Sequence, residues 1–150
     1  MNKDTKNELT KILFNKTALF VGIGNALKSD DGIGIYICKN IIQTNKIKTL
    51  IVESGIEKFV GKINSINPEL LILVDCTDFN KEPGFIDFLP IEEIQDFTVN
   101  THTISVKRIS EFFKMKTYIL GLQPENVRFG EEFSESVINS ANELIKKINA

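Results

Sequence analysis

The sequence contains no hydrophobic run long enough to cross a bilayer. Its longest apolar runs, such as residues 70–74, have the length of a β-strand, whereas a membrane-spanning helix needs about 20 apolar residues. The N-terminal stretch MNKDTKNELTKILFN is too polar to serve as the core of a signal peptide. We therefore expect a cytoplasmic protein that does not bind a membrane.

An excess of charge of either sign is also missing. The 150 residues carry 18 basic and 20 acidic side chains, for a formal net charge of -2. Because no basic stripe or aromatic run marks a phosphate-binding surface, we expect no nucleic-acid partner. Hydrophobic residues make up 42% of the chain, which is enough to bury one core, and no internal repeat or linker divides it. These features predict a single domain over residues 1–150, and we expect a monomer.

Cysteine and histidine are scarce. Cys38 and Cys76 are the only cysteines, and they lack the CxxC spacing of a metal or redox motif. In a reducing compartment we expect both to be small, buried apolar side chains. His102 is the only histidine, so any chemistry that needs an imidazole must use it. A lone histidine is usually a surface or packing residue, and both interpretations stay open.

What the sequence does contain is a regular alternation of strand-like and helix-like segments. The predicted strands are residues 17–23, 47–52, 70–74, 85–89 and 117–122. The predicted helices are residues 7–14, 30–43, 57–66, 105–114 and 132–148. This alternation predicts an α/β fold, a three-layer sandwich with a twisted, mostly parallel sheet of about five strands flanked by helices on both faces.

Two of the predicted strands carry information about the order of the sheet. Residues 70–74 are apolar at every position, which is typical of a strand buried on both faces, so we predict that this is the central strand. Only the short connection FNKEPG precedes the strand at residues 85–89, and its length favours an antiparallel hairpin with the central strand over a crossover. The polar N-terminal helix is predicted to pack on the sheet.

Ligands of open α/β sheets bind beyond the carboxyl ends of the strands, and the first polar segment there is GIGNALKSDDGIG, residues 22–34. Asp30 is a natural N-cap of the helix that follows, and Asp31 lies in its first turn, where the helix dipole favours negative charge. Either acid can therefore have a purely structural role. The segment starts like a dinucleotide-binding fingerprint, but Leu27 stands where the third glycine belongs, so we expect no organic cofactor.

Two further polar segments follow later strands. In LILVDCTDF, Asp75 ends the central strand and Asp78 comes three residues later. A carboxylate in this position must face the crevice or find a partner, because an isolated buried carboxylate is costly. Alternatively, Asp75 or Asp78 caps the following turn. In VNTHTISV, His102 lies between the fourth strand and the next helix.

Two carboxylates, from the acids at positions 30, 31, 75 and 78, and the imidazole of His102 can therefore converge at one edge of the sheet. Such a ligand set leaves coordination positions open and suits an accessible metal site. A nucleophilic triad fits less well, because the chain has no G-x-S-x-G elbow. Cys76 is not expected in the site, since neighbouring residues on a strand point to opposite faces.

Four segments together resemble the hydrogenase maturation endopeptidase family: GIGNALKSDDGIG, LILVDCTDF, THTIS and GLQPENV occur in that family's order and approximate spacing. They are especially similar to members that process hydrogen-evolving or coenzyme-linked hydrogenases. The resemblance implies that Asp31, Asp75 and His102 are the metal-binding and catalytic residues. It also implies that the enzyme removes the C-terminal extension of a nickel-iron hydrogenase large-subunit precursor, and that the nickel arrives with this partner.

The chain departs from the family pattern after the second predicted strand. Members often have an Asp-Gly-Gly-like stretch there that helps to engage the substrate, and only Gly55 carries over, as an implied substrate-binding residue. Two alternatives stay open: a non-catalytic module that checks for nickel, and a receiver-like α/β domain phosphorylated on Asp75. In receivers the acid pair directly follows the first strand, whereas Asp30 and Asp31 come seven and eight residues after Ile23, which argues against this alternative.

Overall fold

The computed structural model describes residues 1–94, 106–130 and 132–150. The strands within these residues are β1 (Ala18–Ile23), β2 (Ile47–Glu53), β3 (Leu70–Cys76), β4 (Ile86–Pro90) and β5 (Lys116–Leu122). The α-helices are α1 (Lys3–Leu13), α2 (Ile33–Asn40), α3 (Val60–Ile66), α4 (Val106–Ile109) and α5 (Glu135–Asn149). Short 3-10 helices lie at Ser29–Gly32, Ile56–Phe59, Ile91–Glu93 and Ser110–Phe112.

All five strands belong to one sheet with the order β2-β1-β3-β5-β4. Strands β2, β1, β3 and β5 are parallel, and β4 runs antiparallel along the edge of β5. Strand β3 is buried at every position and lies in the middle of the sheet, as its continuous apolar run predicts. The predicted three-layer α/β sandwich with a mostly parallel sheet is confirmed.

The prediction of a hairpin between β3 and β4 is wrong. Strand β4 is antiparallel as expected, but β5 lies between the two strands and pairs with both of them. Crossing one strand requires the chain to travel about 10 Å, which the connection of residues 77–85 easily spans. Gln123, directly after β5, holds this connection, because its N–H donates to the carbonyl of Phe85 at 2.8 Å and its carbonyl accepts the N–H of Gly84 at 2.9 Å.

The side chains of β3 point alternately to the two faces of the sheet, so the hydrophobic core has two halves. Its residues at positions 70, 72, 74 and 76 pack with α1, α2 and α5 on one face of the sheet. Those at positions 71 and 73 pack on the other face with Ile63 of α3 and Ile109 of α4. Helix α1 contributes Leu9, which is 1% exposed, to the first half, so its predicted packing on the sheet is confirmed.

The helix boundaries differ from the prediction where the backbone becomes extended. The predicted helix at residues 30–43 consists of the 3-10 helix Ser29–Gly32 and the shorter α2, because Ile41 is extended. The predicted helix at residues 105–114 becomes α4 and Ser110–Phe112, which end at an extended Phe113. Among the described residues, no helix combines the length and the apolar character needed to cross a bilayer.

Helix α2 approaches the sheet at backbone contact distance, and Gly34 makes this possible. A Cβ atom at Gly34 would lie 2.2 Å from the carbonyl oxygen of Val74 and 2.8 Å from that of Ile23. Leu27, which stands at the third position of the dinucleotide fingerprint, is exposed and plays no part in this packing. Gly34 therefore sets how deeply α2 lies on β1 and β3.

Replacing Gly34 with alanine should destabilise the protein strongly. The methyl group would push α2 away from two backbone carbonyls that cannot yield, so we expect a loss of about 3 kcal/mol in the free energy of unfolding, the upper end for overpacking. Gly61→Ala is the matched control, because nothing lies within 4 Å of an added Cβ there. Gly61 is in α3, so alanine should stabilise the protein by up to about 1 kcal/mol. Urea unfolding measures both changes, and an unaffected Gly34→Ala variant would contradict the close packing.

Candidate functional site

A tight turn after β1 brings Asp31 to the carboxyl edge of the sheet. Gly24 has a φ angle of 142°, and a Cβ atom there would lie 2.0 Å from the carbonyl oxygen of Asp31. Glycine is required at this position, and it lets the chain fold back between β1 and the following 3-10 helix. The side chain of Asp31 is buried, and its Oδ2 accepts the N–H of Asn25 at 3.0 Å.

Asp75 reaches the same edge from the neighbouring strand β3. It is 3% exposed, and its Oδ1 accepts the N–H of Cys76 at 2.8 Å. Burial raises the pKa of Asp75 well above its ordinary value, and the nearby charge of Asp31 raises the pKa further. The structure therefore brings together two buried carboxylates that the sequence assigned to one site.

The third predicted ligand, His102, lies outside the described residues. Within residues 1–94, 106–130 and 132–150, no group of three histidine, cysteine, aspartate or glutamate side chains could hold a metal ion. The described part of the candidate site is thus the pair Asp31 and Asp75, and the three-ligand set stays a prediction.

Gly55, the predicted substrate-binding residue, follows β2 at the same edge. It adopts a left-handed conformation, with φ 86° and ψ 40°, and precedes the 3-10 helix Ile56–Phe59. The end of β2 is joined to the turn after β1, because the N–H of Gly24 donates to the carbonyl of Glu53 at 2.9 Å. Gly55 is partly exposed beside the segment that carries Asp31, and its role in substrate binding stays a prediction.

Asp30 does not cap its own helix, so that prediction is wrong. Its carboxylate is 0% exposed and binds two later segments of the chain instead. Its Oδ2 accepts the N–H groups of Glu125 at 2.9 Å and Asn126 at 3.1 Å. The N–H of Ser134, just before α5, donates to Oδ1 at 2.7 Å, and the hydroxyl of Ser134 donates to Oδ2 at 2.7 Å. Asp30 therefore fastens the segment that carries Asp31 to the loop after β5 and to the start of α5.

Gln123 is a buried polar residue that the sequence reasoning missed. Its Oε1 accepts the N–H of Phe79 at 2.6 Å, and its Nε2 donates to Oδ1 of Asp78 at 3.1 Å. The same oxygen of Asp78 accepts the N–H of Asn80 at 2.9 Å, so the alternative of a turn cap holds for Asp78. The sequence feature that could have identified Gln123 is an amide side chain directly after an apolar strand, within the segment GLQPENV.

Both cysteines are free and buried, as predicted. Cys76 packs in the core half beneath α1, α2 and α5, on the face of β3 opposite to its neighbour Asp75. Burial raises the pKa of the Cys38 thiol, and burial together with the charge of Asp75 raises that of the Cys76 thiol. Because the thiolate is the reactive form, neither residue has the environment of a nucleophile.

Comparisons with known proteins identify the family of this chain. The family model for hydrogenase maturation proteases matches residues 36–150. A Methanocaldococcus jannaschii protein, whose name assigns it to the hydrogenase maturation proteases, is 30% identical over 154 residues, with 93% of this chain and 90% of the relative covered. The hydrogenase 3 maturation protease of Escherichia coli is 22% identical over 138 residues, covering 88% of each chain.

A similar structure has been solved for a relative. The crystal structure of the NiFe hydrogenase maturation protease HycI from Thermococcus kodakarensis superimposes with a TM-score of 0.82 and 26% sequence identity, covering 95% of this chain and 96% of that chain. The family match includes Asp75 and the GLQPENV segment, and it supports neither a receiver domain nor a non-catalytic module. On the family match and the similarity of sequence and fold, this chain belongs to the hydrogenase maturation protease family and is an endopeptidase of hydrogenase maturation.

Proposed function

We propose that this endopeptidase removes the C-terminal extension of a nickel-loaded nickel-iron hydrogenase large-subunit precursor, and that Asp31, Asp75 and His102 bind the nickel. The observation that carries the proposal is the pair of buried carboxylates at the carboxyl edge of the sheet. Burying two like charges side by side is unfavourable in the protein alone. A divalent cation between them would offset this cost.

The donor atoms fit a first-row divalent metal. Carboxylate oxygens from Asp31 and Asp75 and an imidazole nitrogen from His102 are ligand types that such metals accept, and three ligands leave further positions open. Thiolates would give a more permanent site, but Cys76 faces away from Asp75. These features support a site that shares the metal with the substrate, so that nickel belongs to the precursor and no organic cofactor takes part.

The protein's own contribution is to hold the two carboxylates in place. The backbone N–H of Asn25 fixes the orientation of Asp31, and that of Cys76 fixes the orientation of Asp75. Both groups belong to backbone segments that are themselves hydrogen-bonded to the sheet or to neighbouring loops. A metal in such a site can polarise a scissile carbonyl or lower the pKa of a water molecule. Placing the scissile bond beside it would be the task of the surrounding surface, including Gly55.

Replacing any predicted ligand should abolish processing without unfolding the protein. Asp31→Asn, Asp75→Asn and His102→Gln each remove a charge or a ligand at nearly constant volume, and we expect each to slow processing by at least about 100-fold. Release of the tail from nickel-loaded precursor, followed by mass spectrometry, measures this effect. A folded variant that processes normally would remove its residue from the proposed site.

Two controls separate loss of function from loss of structure. Asp75→Asn should melt at or above the wild-type temperature, because burial already disfavours the charged carboxylate and the amide oxygen can still accept the N–H of Cys76. Cys76→Ala should keep its activity and lose about 1 kcal/mol of stability, since Cys76 belongs to the core. A folded but inactive Cys76→Ala protein would point to a thiol protease instead.

Nickel in the precursor should be the condition for cleavage. The enzyme should be isolated largely free of metal, because its three ligands bind a metal only modestly. Apo precursor should then resist cleavage although it contains the same scissile bond, and nickel loading should make it cleavable. Mixing purified enzyme with both forms and following tail release by mass tests this. Equal cleavage of the two forms would reject nickel recognition while leaving the chain a protease.

A further inference from the structure

Exposed apolar side chains are divided unevenly between the two edges of the sheet. Six large ones are exposed in the described part of the chain. Four of these lie shortly before a parallel strand, and hence toward the amino edge: Phe14, Ile42, Ile66 and Phe112. The other two, Leu27 and Phe129, follow β1 and β5 and lie at the carboxyl edge, where the candidate site is.

The two loops that carry Leu27 and Phe129 are joined to each other. The N–H of Gly130 donates to the carbonyl of Leu27 at 2.9 Å, and the carbonyl of Gly130 accepts the N–H of Ser29 at 2.6 Å. At the surface, Nζ of Lys28 lies 6.0 Å from the centre of the Phe129 ring. Leu27, at 56% exposure, and Phe129, at 82%, therefore lie on two loops that are hydrogen-bonded to each other.

Hydrogen bonds connect both loops to the candidate site. The buried carboxylate of Asp30 binds the backbone at Glu125 and Asn126, shortly before Phe129. On the other loop, the N–H of Leu27 donates to Oδ1 of Asn25 at 2.9 Å, and the N–H of Asn25 binds Asp31. Apolar side chains on an ordered surface lose little conformational freedom on binding, so they suit a docking role.

We propose that Leu27 and Phe129 form an apolar docking surface for the large-subunit precursor, a role that rests on the proposed function above. A precursor whose nickel reaches Asp31 must lie against the loop that holds this carboxylate, and Leu27 is two residues from its hydrogen-bond donor. The occupant is therefore an apolar part of the precursor next to its nickel site. Contact there would remove both exposed side chains from water.

Steady-state kinetics with nickel-loaded precursor test the docking surface. Leu27→Ser and Phe129→Ser should each raise KM about tenfold, as expected for a central contact residue, and leave kcat within about twofold of wild type. Ile42→Ser and Phe14→Ser are matched controls, because these side chains are 66% and 78% exposed at the other edge. Both controls should keep the wild-type KM. Phe129→Leu, which stays apolar, should restore most of the affinity.

Several results would overturn the proposal. They are a wild-type KM for Leu27→Ser and Phe129→Ser, an equal rise in KM for the amino-edge controls, or a fall in kcat at constant KM. Loss of dimers in the two variants, seen by sedimentation of the enzyme alone, would assign the surface to self-association instead. If the serine variants melt at a lower temperature than the wild type, Leu27→Lys and Phe129→Lys take their place in the assay, and the same KM criteria apply. The wild-type enzyme is measured in the same assay. If the wild type does not cleave nickel-loaded precursor, the proposed function itself is rejected. If the wild type cleaves it and the variants keep the wild-type KM, only the docking surface is rejected.

Discussion

The buried carboxylate of Asp30 is the interaction on which the carboxyl edge of this molecule depends. It accepts hydrogen bonds from the backbone of Glu125, Asn126 and Ser134 and from the Ser134 hydroxyl, with no exposure to solvent. An ionised carboxylate is tolerated in the interior only when donors replace its water shell, and these donors come from distant parts of the chain. Without Asp30, several N–H groups would lose their partner together. The turn after β1, the loop after β5 and the start of α5 therefore depend on one another.

Asp30 and the pair Asp31 and Asp75 thus have different roles because their surroundings differ. The donors around Asp30 satisfy its carboxylate within the protein, which makes it a structural residue. Asp75 lies in the interior beside the charge of Asp31, and its raised pKa reports that the ionised form is unfavourable there. Groups with strongly shifted pKa values cluster at functional sites, which is consistent with the proposed role of Asp75. The rigid network around Asp30 holds the neighbouring residue, Asp31, close to Asp75 despite their repulsion.

Local patterns predicted most of the strands, because a continuous apolar run is a property of a few neighbouring residues. The strand expected at residues 17–23 is observed as Ala18–Ile23, and alternation along β3 correctly separated Asp75 from Cys76. Non-local pairing was not predictable in this way. The pairing of β5 with β3 joins residues more than 40 positions apart, and the partners of Asp30 lie more than 90 residues away. Gln123 was missed for the same reason, since its hydrogen bonds cross to the connection before β4.

The carboxyl edge of this sheet also has an electrostatic character that its topology alone does not imply. In a dinucleotide-binding fold, the glycine turn after the first strand presents backbone N–H groups and a helix N-terminus to a phosphate. Here the chain begins in the same way, but the N–H of Asn25 donates to the carboxylate of Asp31, and Asp30 lies beside it in the same short helix. Acids therefore occupy the place where an anionic ligand would bind. With Asp75 added from β3, three buried acids lie at the edge where a dinucleotide-binding fold with the same topology holds a phosphate.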